Sequence, residues 1–255
     1  MKIESFEERM GDEWAELFNT FILSDKMQEI YTNIRARGKG YKIFPIAENT
    51  FRAFKTCSPD RMKAIIFGSD PYPGEYYDTK LPHATGLSLD CSNSADNFKI
   101  QPSLDYFFQG MAKEYNLEKK FFITNDLTYL EDQGVLLLNR ALTINKQQIA
   151  SHVGIWDEFW KFFFEQVMNN YINVPIIFLG KDAAVLKKYV FEMTHPIHVL
   201  THPSYSARTG QNWETNKTFT KINNHLKLHN KSEIIWGYKQ SLATEADIID
   251  DDMPF

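Results

Sequence analysis

Three polar residues that can take part in catalysis each stand at the end of a short apolar run. Asp70 follows KAIIFG, Asn139 ends GVLLLN, and His202 follows HVLT. A carboxylate can orient or deprotonate a water molecule. An imidazole can donate a hydrogen bond to an oxygen on which negative charge develops. A side-chain amide both donates and accepts, so it can identify the edge of a ring.

Each of these residues also has an ordinary structural interpretation. The sequence D-P-Y-P-G is typical of a turn, in which Asp70 would only cap the backbone. Asn139 could begin a turn, and His202 could simply pack before Pro203. Taken one at a time, the three positions leave both interpretations open.

The apolar runs indicate the elements that position these residues. Short runs that end in Gly or polar residues favour buried strands, here at 63–68, 134–139, 174–180 and 198–201. Helical spacing of apolar residues fits 12–36, 103–115, 154–170 and 182–192. This alternation predicts an α/β fold with a central four-stranded parallel sheet flanked by helices on both faces. Because ligands of such sheets bind at the carboxyl ends of the strands, we expect one rim to hold Asp70, Asn139, Gly180 and His202.

The loops at that rim resemble the motifs of family 1 uracil-DNA glycosylases. Gly68–Tyr72 (GSDPY) is similar to the family's water-activating loop, and Gln101–Leu104 (QPSL) to its proline-rich loop. Gly134–Thr143 (GVLLLNRALT) resembles its uracil-reading strand, with His152 and Trp156 following, and Thr201–Ser204 (THPS) resembles its HPS loop. The likeness extends over roughly residues 12–237, with the motifs in family order.

The resemblance implies a monofunctional N-glycosyl hydrolase of base excision repair. Such an enzyme flips uracil out of single- or double-stranded DNA and leaves an abasic site, with neither a cofactor nor a metal. Asp70 would stabilise the sugar cation and orient the water, and a neutral His202 would donate to the uracil oxygen. Asn139 would read the base edge, and Tyr72 would exclude the methyl group of thymine.

The resemblance also assigns residues around the base and along the DNA. Ser69 and Leu89 would border the base. Ser103, Gly180 and Ser204 would contact phosphates, with Lys181 as an added contact. The wedge that fills the space left by the flipped base would be Tyr205, with Arg208 as the alternative.

Some positions depart from the family pattern. Ser69 replaces a Gln, Pro73 replaces a His, and Leu89 stands where the family has a Phe that stacks on uracil. These departures leave open a glycosylase for another modified pyrimidine. A non-catalytic scaffold with the same fold, binding replication proteins through its tail, is a further alternative.

Composition and charge limit the other possibilities. The 255 residues, 43% of them hydrophobic, suit one domain, expected at 1–240, and we expect a monomer. Two cysteines without CxxC spacing and no Cys/His cluster favour a reduced, cytoplasmic protein without a zinc site. No apolar run is long enough to span a membrane. The net charge of −5 arises from five acids in 241–255, since the remaining chain has 28 acidic and 28 basic residues.

The last fifteen residues predict an acidic, disordered tail. Its end, Asp250–Phe255 (DDDMPF), resembles the C-terminal tip of bacterial single-stranded DNA-binding proteins. That resemblance implies docking to replication or repair proteins and a bacterial cell or a bacteriophage-infected cell as the source. The alternatives are an acidic end that is only solvated and a tail that occupies the chain's own DNA groove.

Overall fold

The computed structural model describes residues 4–77, 79–93 and 100–238. The tail predicted at 241–255 lies outside these ranges. The domain boundary at residue 240 therefore stays a prediction.

A four-stranded parallel sheet forms the centre of the molecule, as predicted. The strands are β2 (Ala64–Gly68), β3 (Val135–Asn139), β5 (Ile176–Leu179) and β6 (Ile197–Leu200). Their order in the sheet is β3–β2–β5–β6, with every neighbouring pair parallel. Gly68 pairs with Asn139 at the carboxyl ends of β2 and β3.

Burial explains why these strands read as continuous apolar runs. Every residue of β2, β3 and β5 is buried, so both faces of this part of the sheet are covered. The edge strand β6 differs, because its Val199 is 50% exposed. The predicted α/β class with helices on both faces is confirmed.

A second, smaller sheet lies beside the first. Strands β1 (Ile43–Phe44) and β4 (Ile144–Asn145) pair antiparallel. This ribbon joins the segment before β2 to the segment that follows β3.

Helices surround the sheet. The amino-terminal ones are α1 (Glu4–Met10), α2 (Asp12–Leu17), α3 (Asn19–Ile22), α4 (Asp25–Arg37) and α5 (Arg52–Thr56). The others are α6 (Pro102–Tyr115), α7 (Thr128–Glu131), α8 (Asp157–Phe162), α9 (Gly180–Ala184), α10 (Pro203–Thr209) and α11 (Thr218–Leu228). No helix of the described ranges is long and apolar enough to cross a membrane.

The predicted helix at 12–36 is divided into α2, α3 and α4. Ser24 has an extended backbone, and its hydroxyl donates to the Phe21 carbonyl at 2.6 Å, which ends α3. The apolar spacing correctly indicated helical structure in this segment, but it carries no signal for the break at Ser24. The prediction of one continuous helix was therefore wrong.

The remaining helix predictions were nearer the observed bounds. The helix predicted at 103–115 is α6, whose first residue is Pro102, a favoured position for proline. The segment 154–170 begins its helix at Asp157 and continues through a π turn, Phe163–Val167. The segment 182–192 is displaced, because α9 already begins at Gly180.

An aromatic cluster joins the amino-terminal helices to α8. Phe18 stacks on Phe159 with ring centroids 4.6 Å apart, and Trp14 meets Phe54 edge-on at 5.1 Å. All four side chains are fully buried. This packing fixes one side of the sheet and leaves the carboxyl ends of the strands free for a site.

Candidate active site

The end of β2 provides space for the Asn139 side chain. A Cβ atom on Gly68 would lie 2.3 Å from Asn139 Oδ1 and 2.4 Å from Ser88 Oγ. Only glycine therefore allows the amide to lie across this strand. Asn139 is 7% exposed, so its polar atoms face a largely enclosed space.

That space is a small cavity at the rim of the sheet. It brings together Asp70, Tyr72, Leu89, Asn139 and His202, which four different segments contribute. Pro71, Leu87 and Ser88 complete its lining.

The Asp70 carboxyl is fixed by the loop after β4. Its Oδ2 accepts a hydrogen bond from the Ala150 backbone N–H at 2.8 Å. Burial raises the pKa of Asp70, and the nearby negative charge of Asp182 acts in the same direction. The hydrogen bonds from Ala150 and Ser69 oppose this rise, because they favour the ionised form of this half-buried carboxyl.

His202 is held as a neutral imidazole. Its Nδ1 accepts from the Ser204 backbone N–H at 3.1 Å and lies 2.8 Å from Ser204 Oγ. With Nδ1 accepting, the ring proton is on Nε2 and available as a donor. Burial lowers the pKa of His202 to about 4, with the Arg208 cation acting in the same direction. Burial is thus the principal cause of the lowered pKa of His202.

Gly180 allows β5 to approach His202. The residue has a φ of +88°, and an added Cβ would lie 2.9 Å from the Cβ of His202. A side chain here would strain the backbone and displace the imidazole.

Tyr72 and Leu89 form one wall of the cavity. The Tyr72 hydroxyl donates to the Leu89 carbonyl at 3.2 Å, which fixes the ring. Leu89 is 7% exposed and has a φ of +65°, an unusual conformation for this residue type. Its strained backbone keeps the carbonyl toward Tyr72 and the side chain in the lining.

The residues predicted to contact DNA lie around this cavity. Ser103 is 8% exposed in the first turn of α6, which packs against α10. Ser204 lies at the start of α10, and its hydroxyl accepts from Arg208 at 3.4 Å. Tyr205 is 47% exposed, and Lys181 is exposed in the first turn of α9.

The structure adds site residues that the sequence did not indicate. Ser88 Oγ is buried in the cavity without a hydrogen-bond partner among the described residues. Ala150 acts through its backbone, so its side-chain type carries no signal. Asp182 Oδ2 lies 3.5 Å from Ser69 Oγ, a contact that only the meeting of two loops creates.

A buried network stabilises the loop that carries Ala150. The Trp156 indole donates to Thr143 Oγ1 at 3.0 Å, and this oxygen lies 2.9 Å from His152 Nδ1. Burial lowers the pKa of His152 to about 4, so this imidazole is neutral. His152 and Trp156 thus support the site from behind and do not line the cavity.

Comparisons with known proteins agree with this geometry. Residues 54–227 match the model of the uracil DNA glycosylase superfamily. The uracil-DNA glycosylase of Aliivibrio salmonicida is 37% identical over 236 residues, covering 89% of this chain and 98% of that protein. Uracil-DNA glycosylase 2 of Bacteroides fragilis is 30% identical over 230 residues, covering 89% and 99%.

Solved structures share the fold. The crystal structure of mimivirus uracil-DNA glycosylase superimposes with a TM-score of 0.76 at 25% identity, covering 92% of each chain. A variant of the mimivirus protein in complex with UGI gives a TM-score of 0.79 at 23% identity. With the motifs gathered at one rim of the same fold, the chain belongs to the uracil-DNA glycosylase superfamily.

Proposed function

We propose that the chain hydrolyses the bond between uracil and deoxyribose in DNA. The C1′–N1 bond breaks, uracil leaves with the bonding electrons, and a water oxygen bonds to C1′ to leave an abasic site. The observation that carries this proposal is the meeting of Asp70, Asn139 and His202 in one cavity at the rim of the sheet.

Asp70 and His202 stabilise the opposite charges that develop on the sugar and on the base. The Asp70 carboxylate stabilises the cationic sugar and accepts a proton from the attacking water. The Nε2–H of His202 donates to the uracil oxygen on which negative charge builds. Both groups are already fixed by backbone N–H donors, so little reorganisation is needed.

Asn139 and Tyr72 select the base. The Asn139 amide accepts from uracil N3–H and donates to O4, whereas cytosine presents the reverse pattern. A base that leaves the buried amide without matching hydrogen bonds should have a kcat/KM lower by on the order of 10⁴-fold. The fixed Tyr72 ring excludes the thymine methyl group, Leu89 covers the base without the stacking of an aromatic ring, and Ser69 lies beside it.

The cavity's surroundings suit the DNA strand. Ser103, Ser204 and the Gly180 backbone lie at turns or helix starts from which backbone N–H groups can bind phosphates. Lys181 and Arg208 supply exposed cations near them. We assign the wedge to Tyr205, whose exposed ring extends from α10 beside His202.

The tail extends the proposal to partners. We propose that Asp250–Phe255 docks to replication or repair proteins, in the cytoplasm of a bacterial or bacteriophage-infected cell, and that the catalytic domain acts as a monomer. The acidic end with a terminal Phe supports the docking, and the bacterial relatives support the location. Deleting Phe255 is expected to abolish partner capture while cleavage of uracil-DNA persists.

Cleavage of defined oligonucleotides tests the function. The purified chain is incubated in EDTA with strands that carry one uracil, cytosine, thymine or 5-substituted uracil, and abasic sites are revealed with alkali. Strand breaks at uracil alone are expected. Breaks only at a 5-substituted base, or at no base by a folded protein, would contradict the assignment to uracil.

A further inference from the structure

The segment 30–47 has an unusual charge for this chain. It carries four basic residues and no acidic one, although the chain apart from its tail is neutral. The four are exposed, and Lys146 lies on the neighbouring ribbon. We call the following five residues the basic strip: Arg35, Arg37, Lys39, Lys42 and Lys146.

The basic strip packs against the loop that holds the catalytic carboxylate. The Lys146 N–H donates to the Lys42 carbonyl at 2.8 Å, and Arg37 Nη1 donates to the Ser151 carbonyl at 3.2 Å. The same loop supplies the Ala150 N–H to Asp70. A single loop therefore contacts both the basic strip and the Asp70 carboxyl.

An open groove runs along this strip. It is lined by Gly40, Tyr41, Lys42, Lys146, Gln147 and Gln148. The Gln147 N–H donates to the Pro73 carbonyl at 2.8 Å, so the groove continues from the loop that contains Asp70. The Tyr41 ring is 49% exposed, which leaves an aromatic face available beside two lysines.

One carboxylate holds both lysines of the groove. Glu75 binds Lys146 through Oε1 and Lys42 through Oε2, the latter at 3.4 Å. Lys146 and Lys42 together lower the pKa of Glu75, so the carboxylate stays charged. The Lys42 side chain is exposed, whereas Lys146 and Glu75 are partly buried, and a phosphate can replace the carboxylate at the same ammonium groups.

We propose that this groove binds the uracil-carrying DNA strand beyond the flipped nucleotide. The basic strip contacts its phosphates, Tyr41 stacks on a base, and Glu75 positions the two lysines until phosphate displaces it. This inference rests on the proposed function, since the strand enters the groove from the glycosylase cavity. It places one arm of the DNA footprint outside the four loops that resemble the family motifs.

Substrate length provides the test. A uracil-centred trinucleotide fills the cavity but does not reach along the strip, whereas a long single strand does. We expect Lys42→Ala/Lys146→Ala to lower kcat/KM roughly tenfold on the long strand only. The slope of log kcat/KM against log salt concentration is negative, and in the double variant it should become less negative by about 1.4. Each phosphate contact on a single strand contributes about −0.7 to this slope, and the variant loses two contacts.

Two further variants make the test specific. Lys26→Ala/Lys227→Ala removes two ion-paired lysines elsewhere on the surface and should change neither kcat/KM nor the slope. Glu75→Gln frees both groove lysines and should raise kcat/KM on the long strand. Circular dichroism confirms that each variant is folded.

The outcomes separate the two proposals. A wild-type chain that cleaves neither substrate contradicts the proposed function itself. If both are cleaved, an unchanged salt slope in the double variant, or equal losses on both lengths, overturns the groove. A Glu75→Gln variant whose kcat/KM on the long strand does not exceed that of the wild type overturns the role given to this carboxylate.

Discussion

At the scale of single residues, burial acts on the two reacting groups in opposite directions. It raises the pKa of the Asp70 carboxyl and lowers the pKa of His202 to about 4. The reaction requires ionised Asp70 and neutral His202. Protonation of either group in acid removes the state that the reaction requires, so kcat/KM should fall as pH decreases.

Asp182 provides a direct check of this pH dependence. Its negative charge raises the pKa of both Asp70 and His202. We expect Asp182→Asn to lower both pKa values and to move the acid limb of the kcat/KM profile to lower pH by less than about one unit, because the side chain is exposed. Added salt should shrink the difference. A limb that moves to higher pH would contradict this assignment.

The wall formed by Tyr72 predicts a change in specificity. Tyr72→Ala opens the side of the cavity against which a thymine methyl group would clash. One methyl group in an apolar pocket changes the ratio of kcat/KM between two substrates roughly 10–200-fold. The uracil-to-thymine ratio of kcat/KM should therefore fall by about that factor. Tyr72→Phe keeps the ring and loses only the hydrogen bond to Leu89, and it should preserve the ratio. Equal ratios in the two variants would refute the steric role.

Sequence alone predicted side-chain chemistry better than backbone chemistry. Asp70, Asn139 and His202 were found through the motifs that resemble the family, since each of them alone also has an ordinary structural interpretation. The Ala150 N–H that orients Asp70 was not, because every residue but proline has one. Ser88 was also missed, since its significance depends on burial without a partner, which only the folded chain reveals.

At the scale of elements, strand ends set the distances between these groups. Gly180→Ala would place a Cβ 2.9 Å from His202 and a side chain at a φ of +88°. We expect a loss of roughly 10²–10³ in kcat, comparable to removing one donor to the developing negative charge. Gly154 has a φ of +87° with nothing within 4 Å, so Gly154→Ala carries similar backbone strain alone.

Comparing these two variants separates strain from displacement. Both should lose about 1–2 kcal/mol of unfolding free energy, measured in urea. Only Gly180→Ala should lose activity. Equal activity in the two proteins would show that the approach of β5 to His202 is unimportant.

The elements themselves were predictable to different degrees. Strands β2, β3 and β5 were found because strands buried on both faces must be apolar throughout, whereas the edge strand β6 was found from the short run HVLT before the HPS loop. The division of 12–36 was missed, because one Ser24 hydroxyl and an extended backbone decide it locally. The start of α9 was misplaced, because α9 begins at the residue directly after β5, with no loop between them.

At the scale of the whole molecule, a buried acid links stability to pH. The Glu131 side chain is fully buried and accepts from Thr56 Oγ1 at 2.5 Å. Burial raises its pKa from 4.5 to about 9. The folded protein therefore keeps a proton that the unfolded chain releases above about pH 4.5. The contribution of Glu131 to the free energy of unfolding is fully present below that pH, and it is lost as the pH rises toward 9.

Glu131→Gln should remove this dependence. At pH 7 the neutral amide avoids a cost on the order of 3 kcal/mol, so the variant should be more stable than the wild type there. Below pH 4.5 the two should be similar. Urea unfolding at several pH values measures both. A stability difference between the two proteins that does not change with pH would show that folding leaves the pKa of Glu131 unshifted.

The central claim concerns Asp70 in the cavity that the whole fold assembles, and one comparison tests it most directly. Wild type and Asp70→Asn are mixed in excess with a single-uracil strand, and binding and single-turnover cleavage are measured together. We predict that the variant binds uracil-DNA as the wild type does but cleaves it at least 10²–10⁴-fold more slowly. Cleavage at the wild-type rate would contradict the account.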